Sequence, residues 1–252
     1  MEIDDAPVAV ITGAGAGIGA AFARRWYEAG NRVVLLDRNL QAAQSLASEL
    51  GSKARAVGAD VTDDAQLHSA FESIAAAEGR IDTLLTSAGV ARPAASEAAD
   101  PADFMALLDL HVAGALRCAQ RAYDLLRRSP QGTVVNVGSV ATFMGMPQRA
   151  AYTAAKAGIG GLTRTLAVEW APAGIRVNAV APGYVATELT DQLVLAGKLD
   201  PQGIIKRTPL RRFAQPEEIA EVIWFLATAQ SRFVTGQVVI ADGGLTIDGD
   251  WY

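Results

Sequence analysis

A single cysteine, Cys118, is all that 252 residues contain, which excludes an intramolecular disulfide framework and fits a reducing compartment. Within its helical pattern it reads as a small packed apolar group. No apolar run reaches the roughly 18 residues a membrane-spanning helix needs, so no membrane partner is expected. No basic run exists either, and the net charge is −5, which excludes a nucleic-acid footprint. Histidine is nearly absent. His68 reads as solvated on a polar helix face, and neither it nor His111 has partners at metal-ligand spacing, so no metal site is predicted. Charged residues are only 19% against 50% hydrophobic, a balance that forms a buried core rather than a disordered chain. The first residues, Met1 to Asp5, are acidic and lack the basic region of a secretory signal. The expectation is a soluble cytoplasmic protein.

Short β-rich runs alternate with longer helical patterns along the whole chain. Strands are predicted at Val8–Ile11, Arg32–Leu36, Ala54–Val57, Ile81–Thr86, Thr133–Val137, Arg176–Ala179 and Gln237–Ile240. Helices are predicted at Gly17–Ala29, Leu40–Leu50, Asp63–Ala77, Pro101–Arg128, Ala150–Trp170 and Pro216–Ala227. Strict alternation implies an α/β fold, a parallel sheet with helices on both faces. No linker, repeat or low-complexity block interrupts it, so residues 1–252 read as one domain. Thr187–Phe213, with Gly197, Pro201, Gly203 and Pro209, follows no single period and reads as a substrate lid at about 187–213.

Thr12-Gly13-Ala14-Gly15-Ala16-Gly17-Ile18-Gly19 stands between the first strand and the first helix. Glycines there let the backbone turn sharply and approach a pyrophosphate, which the helix N-terminus attracts. Asp37, at the tip of the second strand, is placed to accept hydrogen bonds from an adenosine ribose and to repel a 2′-phosphate. That favours NAD. Arg38 beside it keeps NADP open, while Ala14 and Ala16 leave the glycine loop without a basic residue.

Ser139 follows the fifth strand, and Tyr152-Thr153-Ala154-Ala155-Lys156 opens the next helix, placing Tyr152 and Lys156 at i and i+4 on one face. A free tyrosine titrates near 10, so a neighbouring ammonium and a positive nicotinamide ring are expected to favour its phenolate. Ser139 would hold a substrate oxygen against Tyr152. Tyr152 would take the hydroxyl proton during alcohol oxidation and return it during reduction, with the cofactor carrying the hydride.

Together these residues resemble the short-chain dehydrogenase/reductase family over nearly the whole chain. Further matches are Asp60-Val61, Ala88-Gly89, Asn178, Pro182-Gly183 with Thr187, and Thr235-Gly236 leading to Asp242-Gly243-Gly244. The resemblance implies a Rossmann-type, doubly wound, seven-stranded parallel sheet of order 3-2-1-4-5-6-7. It implies Asp60 at the adenine, Ala88 and Gly89 beside the cofactor channel, and Lys156 on the nicotinamide ribose. Pro182, Gly183 and Thr187 would cradle the nicotinamide and pyrophosphate, with the Val185 backbone at the carboxamide. Two positions depart from the family pattern: Thr86-Ser87 precedes Ala88-Gly89 where two asparagines are usual, and His111 replaces an asparagine whose backbone carbonyl holds a relay water beside the lysine. His111 therefore reads either as a relay member titrating near neutral pH or as a packed helix histidine.

By the same analogy, Ala141, Phe143, Met144, Met146, Arg149, Tyr184, Leu189 and Leu193 line the substrate pocket. This mostly apolar set suits a neutral secondary alcohol or ketone, cyclic or aromatic. Arg149 is either the one group able to meet a carboxylate or a surface residue. Lys206, Arg207, Arg211 and Arg212 in the lid leave a second reading, NADPH-dependent reduction of a 3-oxoacyl thioester on an acidic carrier protein. A third, prompted by His111 and Ser87, is a nucleotide-binding regulatory protein without turnover. The resemblance also implies a homotetramer with Pro101–Arg128 at one interface, and Trp251 and Tyr252 read as candidates for burial against another subunit.

Overall fold

The protein is described by a computed structural model covering residues 5–249. The expectations for Trp251, Tyr252 and the first four residues lie outside the described residues. In chain order the elements are β1 (Val8–Thr12), α1 (Gly17–Glu28), β2 (Arg32–Asp37), α2 (Leu40–Leu50), β3 (Ala54–Gly58), α3 (Asp64–Glu78) and β4 (Thr83–Thr86). There follow α4 (Pro101–Leu108), α5 (Gly114–Leu126), β5 (Thr133–Val137), α6 (Ala150–Trp170), β6 (Arg176–Pro182), α7 (Glu188–Leu195), α8 (Pro201–Arg207), α9 (Pro216–Ala227) and β7 (Val238–Ala241).

The inner strands are apolar on both faces, and their side chains divide between two cores with the period of two that a strand imposes. Val8, Val10, Val34 and Leu36 face one core, which Leu67 and Phe71 of α3, Ala122 and Leu126 of α5, and Leu166 of α6 close. Ala9, Ile11, Val33 and Leu35 face the other, closed by Phe22 and Trp26 of α1, Leu46 of α2, and Ile219 and Ile223 of α9. Each such large side chain taken out of water contributes about 1.5–3 kcal/mol. All seven strands pair in parallel in the order β3-β2-β1-β4-β5-β6-β7. Strand order reverses between β1 and β4, which opens a crevice beyond their carboxyl ends, where ligands bind in doubly wound sheets.

Three expectations change. β4 begins at Thr83 rather than Ile81; before it the Asp82 carboxylate accepts the Val8 N–H (2.7 Å) and the Ser129 hydroxyl (2.6 Å) at the amino-terminal end of the strands, away from the crevice. The segment expected to be an irregular lid holds two short helices, α7 capped by Thr187 and α8 capped by Asp200 with Pro201 in its first turn. The long helix predicted over Pro101–Arg128 is interrupted. Asp109–Ala113 forms a π-turn between α4 and α5, in which the Gly114 N–H reaches back to the Asp109 carbonyl. Glycine is required at 114 because a Cβ there would stand 2.9 Å from Val61 Cγ2.

Candidate active site

The crevice at the strand ends is a cavity of about 530 Å³. Its nucleotide half is built by the turn after β1. Gly13 and Gly17 have φ of 64° and 55°, and a Cβ on Gly13 would lie 2.8 Å from the Ala88 backbone. Thr12 Oγ1 accepts the N–H groups of Ser87 and Ala88 (3.1 and 3.2 Å), tying this turn to the one after β4. Gly19 packs behind the loop against the Gly13 carbonyl and does not line the crevice. α1 starts at Ala16 with no side-chain cap and no acid in its first turn, so its N–H groups and positive end suit a pyrophosphate.

Asp37 ends β2 with one carboxylate oxygen on the Gly15 N–H (2.9 Å) and the other on the Asn39 N–H (2.8 Å). Arg38 lines the same space and has no hydrogen bond or ion pair among the described residues. Gly15, Ala16, Ile18, Asp60, Val61, Ser87, Ala88, Gly89, Pro182, Gly183, Val185 and Thr187 all line the crevice. A cradle that Cβ atoms would fill, an uncapped helix start and a ribose-height carboxylate fit a nicotinamide dinucleotide.

The chemical half lies between β5 and α6. Ser139 lies two residues past the strand and caps the 3-10 turn that follows, and its Oγ accepts the Ala141 N–H (3.1 Å), leaving its own hydrogen for another acceptor. Tyr152 and Lys156 face the crevice from α6, with Lys156 Nζ 5.6 Å from the Tyr152 ring centre and donating to the Val137 carbonyl (2.8 Å). Burial pushes the Tyr152 phenol above its ordinary range, and hydrogen bonding from Ser139 pulls it back. Burial also brings the Lys156 ammonium down to about 8. The sequence expectation that the ammonium lowers the phenol is not what dominates here; desolvation does.

His111 occupies the π-turn. Its Nε2 meets the Val90 carbonyl at 2.9 Å, its ring stands edge-on to Tyr152 with centres 5.6 Å apart, and its buried Nδ1 has no hydrogen-bond partner. Burial first, then the Lys156 charge, hold its pKa down at about 3, against a weaker upward pull from the Val90 bond. Burial thus favours the neutral imidazole and weighs against the reading in which it titrates near pH 7. Beside it a cavity of about 10 Å³, also bordered by Lys156, Thr86 and Val137, has the size of one water.

Burial of a neutral histidine has a pH signature. The unfolded chain protonates His111 near 6.5 and the folded chain only near 3, so its contribution to stability is complete above pH 6.5 and is lost as pH falls toward 3. Urea unfolding of wild type and His111→Asn at pH 7.5 and 4.5 is expected to show an extra acid loss in wild type on the order of 2–3 kcal/mol. Equal losses in both proteins would contradict it. Gly89 is the matching constraint, because a Cβ there would lie 2.8 Å from His111 Nδ1. Gly89→Ala is expected to cost about 1–3 kcal/mol in wild type and distinctly less in a His111→Ala background. A double-mutant cycle by denaturant unfolding measures the coupling, and additivity would remove the contact.

Of the expected pocket residues, Met146, Arg149, Tyr184, Leu189 and Leu193 line the crevice, and Arg149 is only 9% exposed, so it is not a surface residue. Ala141 and Phe143 do not line it. Ala141 is buried beneath Ser139 and Phe143 is 52% exposed, because the 3-10 turn after Ser139 carries both away from the opening. Met144 borders a neighbouring cavity instead. Sequence reasoning missed Val140, Gln192 and Leu199 in the crevice wall. It also missed a buried chain beneath the site, in which Thr86 Oγ1 donates to Asn136 Oδ1 (2.6 Å) and Asn136 Nδ2 to Thr163 Oγ1 (2.9 Å). The polar residues within the apolar pattern of β5 and α6 were its one visible sign.

A family model described as enoyl-(acyl carrier protein) reductase matches residues 13–246. The chain is 37% identical over 245 residues to a short-chain type dehydrogenase/reductase of Sinorhizobium fredii, covering 96% of the chain and 44% of that relative's length. It thus spans less than half of that protein. A 3-oxoacyl-[acyl-carrier-protein] reductase of Thermotoga maritima is matched nearly end to end, 37% identical over 243 residues, 95% of this chain and 98% of the relative. Among solved structures, a 3-ketoacyl-(acyl-carrier-protein) reductase from Brucella melitensis complexed with NADH gives a TM-score of 0.88 at 30% identity, covering 96% and 98% of the two chains. A gluconate 5-dehydrogenase from Burkholderia cenocepacia in complex with NADP and tartrate gives 0.89 at 37%, covering 95% of each.

Proposed function

The chain belongs to the short-chain dehydrogenase/reductase family, and on that footing we propose that it interconverts a secondary alcohol and its ketone with NAD(H), using Tyr152 as the general acid–base. The observation that carries this reading is that Ser139, Tyr152 and Lys156 line one crevice together with the glycine turn and Asp37. When bound, the nicotinamide supplies or accepts the hydride. The remaining work falls to side chains. Ser139, already accepting from Ala141, donates its hydroxyl hydrogen to the substrate oxygen and holds it at the phenol. Tyr152 Oη removes the hydroxyl proton in oxidation and returns it in reduction. Lys156, one helical turn from the phenol and anchored on the Val137 carbonyl, is placed to orient the nicotinamide ribose beside it. The small cavity bordered by Lys156 and His111, with room for one water, offers the proton a route away from the site. His111 serves that route as a neutral ring fixing the π-turn.

A second reading keeps the same chemistry on a 3-oxoacyl thioester, supported by the Thermotoga relative. The NADH complex of the Brucella reductase means that Asp37 alone does not separate the two. An NADH-formation screen over secondary alcohols, diols and hydroxy acids, run beside NAD(P)H consumption with acetoacetyl thioesters, tests both. Turnover only of the thioester would select the second reading. Tight NAD binding with no turnover of either set would select a regulatory nucleotide-binding protein.

A further inference from the structure

We infer that Arg149 is an anion receptor in the substrate pocket and that the substrate is a compact carboxylic acid bearing the secondary alcohol, or its oxo acid. The inference rests on the proposed alcohol/ketone chemistry and names the substrate class for that same site. Arg149 is the N-cap of α6, three positions before Tyr152, and it lines both the main crevice and an adjoining cavity of about 440 Å³. It is 9% exposed and forms no ion pair among the described residues. Its guanidinium donates to two backbone carbonyls, Lys198 at 3.2 Å and Gln148 at 3.5 Å, both at the long end of the range. Five N–H donors and one full charge are thus met by two weak neutral acceptors.

A buried cation without a counter-charge is costly, and a ligand carboxylate supplies that charge in a planar, two-pronged form that matches the guanidinium. The backbone holds the group inward. Gln148, just before it, has φ of 60°, a left-handed conformation a glutamine adopts only when its surroundings fix it. Its carbonyl is fixed by the Ala94 N–H (3.0 Å), and the Arg149 carbonyl accepts from Thr153 (2.7 Å). The same crevice is lined by Met146, Leu189, Leu193 and Leu199, which suit a short hydrocarbon body, while the Tyr152 and Tyr184 phenols lie near enough to act on the guanidinium. A ligand whose hydroxyl meets Ser139 and Tyr152 and whose carboxylate meets Arg149 therefore fills one continuous space. The bond to Lys198 ties Arg149 to the segment between α7 and α8, so a purely structural strut is the competing role.

The experiment compares matched acid and carboxamide pairs, 3- and 4-hydroxycyclohexanecarboxylate with their amides, in wild type, Arg149→Lys and Arg149→Met. Wild type is expected to favour the acids about 100-fold in kcat/KM, mainly through KM. Arg149→Lys is expected to retain part of the preference. Arg149→Met is expected to bring the acid-to-amide ratio near 1, the loss falling on the acids. In parallel, the NAD-loaded proteins are titrated calorimetrically with cyclohexanecarboxylate and cyclohexanecarboxamide. Binding of the acid alone, lost in Arg149→Met, supports the receptor even if no alcohol is oxidised, an outcome in which only the alcohol/ketone reading fails. Equal handling of acid and amide by wild type, no binding of the acid, or an Arg149→Met variant that loses both members of each pair equally would overturn the inference.

Discussion

Tyr152→Phe is expected to lower kcat by about 10³- to 10⁴-fold in both directions while leaving the Kd for NADH within about threefold of wild type. The substitution removes one oxygen from a half-buried ring, so packing against His111 and the α6 face is retained. Ser139 keeps its bond to Ala141, and Lys156 keeps its bond to Val137. What disappears is the hydroxyl assigned to exchange a proton with the substrate oxygen. Wild type also has a directional pH signature. Burial holds the phenol protonated, so oxidation, which needs phenolate, rises with pH up to 10, whereas reduction, which needs the phenol, stays level over the same range. The residual rate of Tyr152→Phe is expected to lose the slope in the oxidation direction. Rates for both directions across pH 6–10 in wild type and variant measure this. Retention of more than a tenth of kcat would remove Tyr152 from the chemistry.

How much of this was legible in the sequence depended on whether a local pattern carried the information. α2, β5, α6 and α9 have the bounds their periodicity and flanking residues predict, because amphipathic spacing and Pro216 mark them directly. The π-turn did not show. It spans only five residues of a long apolar pattern, and the close approach of Gly114 to Val61 beside it is tertiary. α7 and α8 are too short to establish a period, although Thr187 and Asp200 were present as caps. Ser139, Tyr152 and Lys156 could be read because strand end and helix spacing fix their directions. The protonation of His111 and the burial of Arg149 could not, because both depend on what packs around them. For the same reason Ala141 and Phe143 were misplaced. A 3-10 turn of three residues redirects side chains that an extended continuation of β5 would have sent into the pocket.

Asp37→Asn is expected to shift the ratio of kcat/KM for NAD over NADP by about 10²-fold toward NADP. The change isolates charge, since the amide oxygen can still accept one of the two N–H groups, from Gly15 and Asn39, that the carboxylate now accepts. Two unit charges about 4 Å apart repel by about 4 kcal/mol at an effective dielectric of 20, and each 1.4 kcal/mol is a factor of ten. Partial solvation at the open end of the crevice reduces that to the two decades stated. Arg38 then becomes the test of the rest. With the neighbouring carboxylate neutralised, its guanidinium is, among the described residues lining that end of the crevice, the cation able to meet a 2′-phosphate. Arg38→Ala in the Asp37→Asn background is therefore expected to remove most of the gained NADP activity and leave NAD nearly unaffected. A wild type that already prefers NADP, or a ratio that Asp37→Asn leaves unchanged, would mean that specificity is set elsewhere, and the Asp37 carboxylate would be reduced to its role of holding the glycine turn through Gly15.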